Sequence, residues 1–252
     1  IQIFQSLVGA GELGSGRPND PVVVALDRLR QLGAHEVGHT LGFSHNFAAS
    51  TQDRASVMDY PPPRIGLKDG KPDLSDAYAK GIGAWDVETV RWLYADASEA
   101  ETAAAAARFR YVQDDNARAP DTAHAHGGLW DDGADPVAEL NRLMAVRAAA
   151  LARFGLGVLS PGEPVANLRR RLVPLWLLHR YQLVAAAKQI GGMDFAYAIN
   201  GGGQEAARPV PPAQQRAALD AVLATLRPEA LRVPPALLPL LSAAQNGNSD
   251  RQ

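Results

Sequence analysis

The sequence predicts a mainly α-helical chain with few short strands. Three observations carry this prediction. Pairs ending in proline open apolar-periodic segments at Asp20-Pro21, Asp135-Pro136 and Pro211-Pro212. Proline suits the first helical position because its missing N–H would have no partner there. Glycines mark helix ends, with Gly155 and Gly157 after one segment and Gly191-Gly192 after another, as expected where a chain leaves a helix. Residues 101–110 are rich in alanine, the best helix former.

In chain order, residues 1–8 are expected as one strand and the glycine-rich stretch 9–19 as a loop. The glycine spacing there does not match a dinucleotide fingerprint, and no βαβ unit follows. A helix is expected from Asp20-Pro21 to about Leu41. Val22, Leu26 and Leu29 recur at helical spacing, and Leu32 and Val37 extend the apolar side. Leu41 and Phe43 are expected to anchor it to the core. Residues 66–76 read as a polar loop. A helix is expected over 84–95, with Trp85, Val87, Val90, Leu93 and Tyr94 as packing candidates, and Tyr111-Val112 as a short strand. The acidic stretch 114–132 contains His124 and His126. Oxygen-rich loops suit calcium, and two histidines suit a second zinc. The spacing matches no such motif, so an ordinary polar loop is expected and a second metal near His124 and His126 stays open. Helices are expected over 135–154, over 164–190 with a kink near Pro174, and over 211–226. Arg169, Arg170 and Arg171 read as a solvated face. A short strand is expected over 193–197 and a disordered tail over 242–252.

The 252 residues are enough for one large domain or two small ones, and 46% hydrophobic content is enough for a real core. The net charge of −2 gives no electrostatic case for nucleic acid or an anionic membrane. No apolar run is long enough to span a bilayer, and no signal peptide is visible at residues 1–5. Cysteine is absent, which excludes a disulfide framework and thiolate metal ligands.

The chemistry is concentrated in residues 35–45, His-Glu-Val-Gly-His-Thr-Leu-Gly-Phe-Ser-His, a complete HExxHxxGxxH string. Histidines four apart on a helix share one face, so His35 and His39 can reach one metal ion. Gly42 is free to take positive φ and end the helix, and the turn lets His45 return to the same metal. Glu36 lies between the first two ligands, beside the open position. Three neutral nitrogen ligands, one open position and an adjacent carboxylate make a hydrolytic zinc site. Closed structural zinc sites usually take four protein ligands, often cysteines.

With Ser56-Val57-Met58-Asp59-Tyr60 a short loop downstream, the chain resembles the metzincin metalloproteases. The similarity extends through His45-Asn46-Phe47, and more weakly through Trp85-Asp86 and residues 129–136, toward bacterial matrix-metalloprotease-like members with a helical C-terminal region. The resemblance implies that Met58 sits in a turn forming an apolar floor beneath the ligands, and that Tyr60 lies near the zinc. A soft, unbranched methionine fits such a space, and a phenol is a good donor to an oxyanion. It also implies a closing helix after the turn, which 84–95 supplies.

Metzincins normally carry a twisted sheet before the zinc helix, and only 34 residues precede His35. The chain is therefore expected to hold residues 1–98 as the C-terminal part of a catalytic domain, 99–241 as a helical region and 242–252 as a tail. Most of the N-terminal subdomain, with any export signal, would lie outside it. The implied function is a zinc-dependent endopeptidase acting on protein or peptide substrates, exported to the periplasm, cell surface or medium of a bacterium. Its metal ligands would be His35, His39 and His45, its catalytic residues Glu36 and Tyr60, and its supporting residues Gly42 and Met58. The alternative is an inactive zinc-binding module that serves in interaction or regulation.

Overall fold

A computed structural model describes residues 1–118 and 123–244. The fold is mainly α, with two short antiparallel hairpins among the described residues. The expected tail lies largely outside the described residues, as do 119–122 of the acidic stretch.

Residues 1–8 are a helix, α1 (Gln2–Val8), not a strand. Phe4 and Leu7 are three apart and both buried, which is one helical face and not the alternation of a strand. Gln5 is buried beside them and donates to the Val158 carbonyl at 3.0 Å. The long helix α2 (Pro21–Thr40) starts as expected. Asp20 caps it by accepting from Val22 N at 2.9 Å, and the same carboxylate gathers the preceding loop through Gly14 N and Gly16 N.

The inward side of α2 is not the expected one. Val24, Gln31, His35 and Gly38 are buried, whereas Leu26, Leu29 and Val37 are 45%, 61% and 56% exposed. Polar groups took the inward face because the loop after the helix offers them partners: Gln31 donates to Val57 O at 3.2 Å. Leu41 is also exposed, and only Phe43 of the two expected anchors is buried.

Residues 66–76 form a hairpin, β1 (Gly66–Lys68) and β2 (Lys71–Asp73), with Leu67 opposite Pro72. Its two-residue turn, Asp69-Gly70, has both φ values positive, the conformation that matches strand twist and that Asp-Gly favours. Helix α3 (Ala84–Tyr94) forms where expected, but Asp86 is its buried residue, and Val87, Leu93 and Tyr94 are exposed. The alanine-rich α4 (Glu99–Ala106) follows, capped by Ser98 and Glu101. Tyr111-Val112 does not form a strand; Phe47 N donates to Val112 O at 2.9 Å. The start of the acidic stretch is a short helix, α5 (Asp114–Arg118).

Helix α6 (Pro136–Arg153), capped by Asp135, is the spine of the chain's second half. The expected helix over 164–190 is broken into α7 (Leu168–Trp176) and α8 (Arg180–Ala187). Pro174 lies inside α7, and the helix stops within three residues of it, as the lost N–H and ring clash would favour. Arg171 is buried and paired with Glu163 at 2.7 Å, while Arg170 is exposed; the arginine run is not wholly solvated. Strands β3 (Met193–Phe195) and β4 (Ala207–Pro209) pair, and α9 (Pro212–Ala224), α10 (Pro228–Leu231) and α11 (Leu238–Leu241) end the described fold.

One apolar core joins the two halves of the sequence. It holds Phe4, Leu7, Val24, Ile65 and Leu74 together with Val146, Phe154, Leu168 and Leu175. A smaller cluster of Phe43, Val57 and Met58 lies between α2 and α3, with Ala34 and Val90 against it.

Candidate metal centre

Helix α2 brings the first two histidines together. The Nε2 atoms of His35 and His39 stand 3.1 Å apart. The helix ends at Thr40, capped by Leu41, and Gly42 follows at φ 90°, a conformation in which a Cβ would be strained. The turn carries His45 back, with its ring centroid 5.3 Å from that of His35 and 4.8 Å from that of His39. One nitrogen from each ring lies within 4.8 Å of the others, so the group is able to hold a metal ion.

Each ring is oriented through its other nitrogen. Nδ1 of His35 meets Val57 O at 2.7 Å, Nδ1 of His39 meets Phe43 O at 2.9 Å, and Nδ1 of His45 meets an Asp114 carboxylate oxygen at 2.7 Å. A neutral imidazole that donates from Nδ1 keeps its lone pair on Nε2. The three acceptors therefore set the same tautomer on all three rings. Among the described residues His45 Nε2 is buried without a hydrogen-bond partner, which is unusual for a polar atom that has no further use. Burial, the largest cause, holds the His35 imidazole below its ordinary pKa; the Val57 bond opposes this, and the rings of His39 and His45 add to it. The neutral form is the one that ligates a metal.

Glu36 is exposed on α2 and makes no side-chain hydrogen bond among the described residues. Tyr60 packs its ring 4.8 Å from His45 and 5.4 Å from His35, with Phe47 and Trp130 on its other sides. Met58 is 1% exposed. A Cβ built on Gly38 would lie 2.3 Å from its sulfur, so a larger residue there would have to displace the Met58 side chain.

The turn itself hangs on one carboxylate. Asp86, at the start of α3, accepts from Ser56 Oγ at 2.5 Å, Val57 N at 2.8 Å and Gly83 N at 2.7 Å. Ser56 Oγ in turn accepts from Met58 N at 2.9 Å. Asp59 accepts from Ser50 N and Tyr60 N. Burial, and then the charge of Asp131, push the Asp59 carboxyl well above its usual range.

Asp131 is itself buried, with one oxygen lacking a partner among the described residues. Burial pushes its pKa up to about 6, partly offset by Lys188. A folded-state pKa above the unfolded value of about 4 favours the protonated form in the fold. That contribution is fully present below about pH 4 and is lost as pH rises through 6. Asp131→Asn is neutral throughout, so in metal-free protein its melting temperature should exceed that of the parent at pH 8. The gain, up to about 3 kcal/mol, should vanish near pH 4. A difference that stays constant from pH 4 to 8 would contradict a buried, titrating Asp131.

The structure thus brings His35, His39, His45 and Tyr60 together, places Glu36 on the same helix and sets Met58 against it. It adds three residues absent from the sequence reading of the site. Asp114 and Arg118, whose Nε donates to the other Asp114 oxygen at 2.8 Å, lie in the stretch read as an acidic loop with a second metal left open. Asp86 fell within the Trp85-Asp86 similarity but had no assigned role. His124 and His126 do not join the centre. His124 uses Nδ1 as acceptor from His126 N and Nε2 on the Phe195 backbone.

A family model described as Met-zincin matches residues 17–252. No curated protein and no solved structure matches the chain.

Proposed function

The chain belongs to the Met-zincin family, and from that premise we propose that it is a zinc-dependent endopeptidase of protein or peptide substrates. The observation that carries the reading is the common orientation of the three rings, with every Nδ1 anchored and every Nε2 left for one ion. Nitrogens bound tetrahedrally to zinc at about 2.0–2.1 Å are roughly 3.3 Å apart, close to the His35–His39 spacing of 3.1 Å. An all-imidazole set of three leaves a position open, as catalytic zinc sites do.

Zinc, when bound, supplies Lewis acidity that makes water a nucleophile near neutral pH. Glu36 takes the proton from the attacking water and returns it to the leaving amine. Its exposure and lack of competing hydrogen bonds suit that exchange. The Tyr60 phenol donates toward the oxyanion that develops on the scissile carbonyl. Met58 and Gly42 shape the centre without touching substrate. In this reading residues 1–98 are the catalytic part and 99–241 the helical region, tied together by a shared core. No helix among the described residues is long and apolar enough to cross a membrane. Export to the periplasm, cell surface or medium rests on the family resemblance.

The test is metal content by elemental analysis, paired with a peptide-library digest with and without chelator. One zinc per chain and chelator-sensitive cleavage are expected. His45→Ala should lose most of its zinc, because two histidines on one helix are too few ligands for a stable site. Unchanged zinc stoichiometry in that variant would sink the three-histidine assignment.

A further inference from the structure

Two of the three ligand rings are oriented by backbone carbonyls, His39 by that of Phe43 and His35 by that of Val57 on the Met58 turn. His45 is oriented by a charged side chain 69 residues further on. His45 also has the least local support. It follows the Gly42 turn and is not part of α2, so helix rigidity does not fix its ring. Asp114, the first residue of α5, divides its carboxylate between two partners. One oxygen meets His45 Nδ1 at 2.7 Å, and the other accepts from Arg118 Nε at 2.8 Å, one turn along the same short helix.

Arg118 then closes a circuit. Its guanidinium carbon lies 5.4 Å from the ring centroids of both Phe47 and Tyr60, within cation–π range. The Tyr60 ring stands edge-on to His45 at 4.8 Å. His45, Asp114, Arg118 and Tyr60 thus each touch the next, and the last touches the first. A planar guanidinium can stack on a ring face while donating in its own plane, which a lysine cannot.

We propose that Asp114 and Arg118 are positioning residues of the metal centre. Asp114 fixes the His45 ring so that Nε2 faces the ion, and Arg118 ties that carboxylate to Tyr60, so that third ligand and tyrosine move together. The inference rests on the metal reading above. It gives the region after residue 98 a part in the centre that the ligand motif does not announce. Carboxylate partners of ligating histidines set tautomer and ring orientation and raise ligand basicity, and losing one typically weakens metal binding about 10–100-fold. The Asp114–Arg118 pair is substantially exposed, and exposed pairs contribute little to folding. A purely structural role therefore predicts a small change everywhere. A positioning role predicts a large change in metal affinity with little change in the melting of metal-free protein.

The experiment uses the full chain, stripped of metal, with zinc affinity read by competition against a chromophoric chelator. The visible spectrum of the cobalt(II)-loaded protein gives a second readout. Asp114→Ala is expected to bind zinc about 10–100-fold more weakly and to shift the cobalt bands. Asp114→Asn should recover part of the affinity, since its amide oxygen still accepts from Nδ1. Arg118→Ala should weaken zinc binding several-fold in the parent and not at all in the Asp114→Ala background. Zinc affinity of Asp114→Ala within about twofold of the parent, or unshifted cobalt bands, would overturn the role of Asp114. Equal losses from Arg118→Ala in both backgrounds would overturn its action through Asp114. Should Asp114→Ala fail to fold, Asp114→Asn decides: parental affinity with parental cobalt bands overturns the proposal. His45→Ala is the control: undiminished zinc binding there would refute the metal reading on which this inference rests, whereas weakened binding there with parental affinity in Asp114→Ala refutes the positioning role alone.

Discussion

Glu36→Gln is expected to retain a full complement of zinc and to lose peptide hydrolysis by about 10²–10⁴-fold. Glutamine keeps the length and shape of the side chain and removes its capacity to accept a proton. None of the three ring anchors involves Glu36, so metal content should not follow activity. Its side chain is exposed and free of hydrogen bonds among the described residues, so stability should stay within about 0.5 kcal/mol of the parent. The measurements are zinc per chain, melting temperature and cleavage rate on one batch of protein. A Gln variant that cleaves at the parental rate would remove Glu36 from the chemistry. A variant that loses zinc as well would make it a structural support of the ligands.

The largest effect on stability is expected at Asp86, which is buried and lies outside the histidine group. Asp86→Ala leaves two backbone N–H groups and a serine hydroxyl without their buried acceptor. Each such loss costs about 1–3 kcal/mol, so three losses total on the order of 3–9 kcal/mol if the site cannot admit water. At about 2–4 °C per kcal/mol for a chain of this size, the melting temperature should fall by at least about 6 °C. Zinc affinity should fall too. The chain of contacts runs from Asp86 to Val57 N, and from Val57 O to His35 Nδ1, so a loosened turn frees a ligand ring. Asp86→Asn, which keeps one acceptor oxygen, should lie between. A melting temperature of Asp86→Ala within about 2 °C of the parent would show that the turn has other support.

The histidine cluster was legible because its spacing is a local geometric statement. Four residues along a helix is one turn, and a glycine after it allows return, so His35, His39 and His45 converge without tertiary information. Helix starts at Asp20-Pro21 and Asp135-Pro136 were legible for the same reason, since a cap is a bond between near neighbours. What the sequence hid was long-range. Asp114 reaches His45 from a stretch whose acidic composition reads as solvated loop. Asp86 sits in a helix whose apolar residues advertise burial, yet the carboxylate turned inward because three donors waited for it. Periodicity likewise chose the wrong face of α2. The pattern of Val22, Leu26 and Leu29 is helical, but Gln31 and His35 had specific acceptors on the turn, and the leucines were left outside. Residues 1–8 read as one strand, whereas the Phe4–Leu7 spacing already matched a helical face.

The contact between Gly38 and Met58 has a consequence for how such sites are recognised and transplanted. In the ligand string the residue before His39 is a wildcard, free to be anything that continues a helix. Here the sulfur of Met58 occupies the space that any larger side chain would need. The two segments are therefore keyed like lock and bolt: a graft of residues 35–45 alone would carry the ligands and leave behind the part that gives them their depth. Alanine at position 38 would be a sound helix residue and a poor fit to this turn. The pair belongs in one search pattern, as a glycine at the wildcard whenever a methionine follows at this distance.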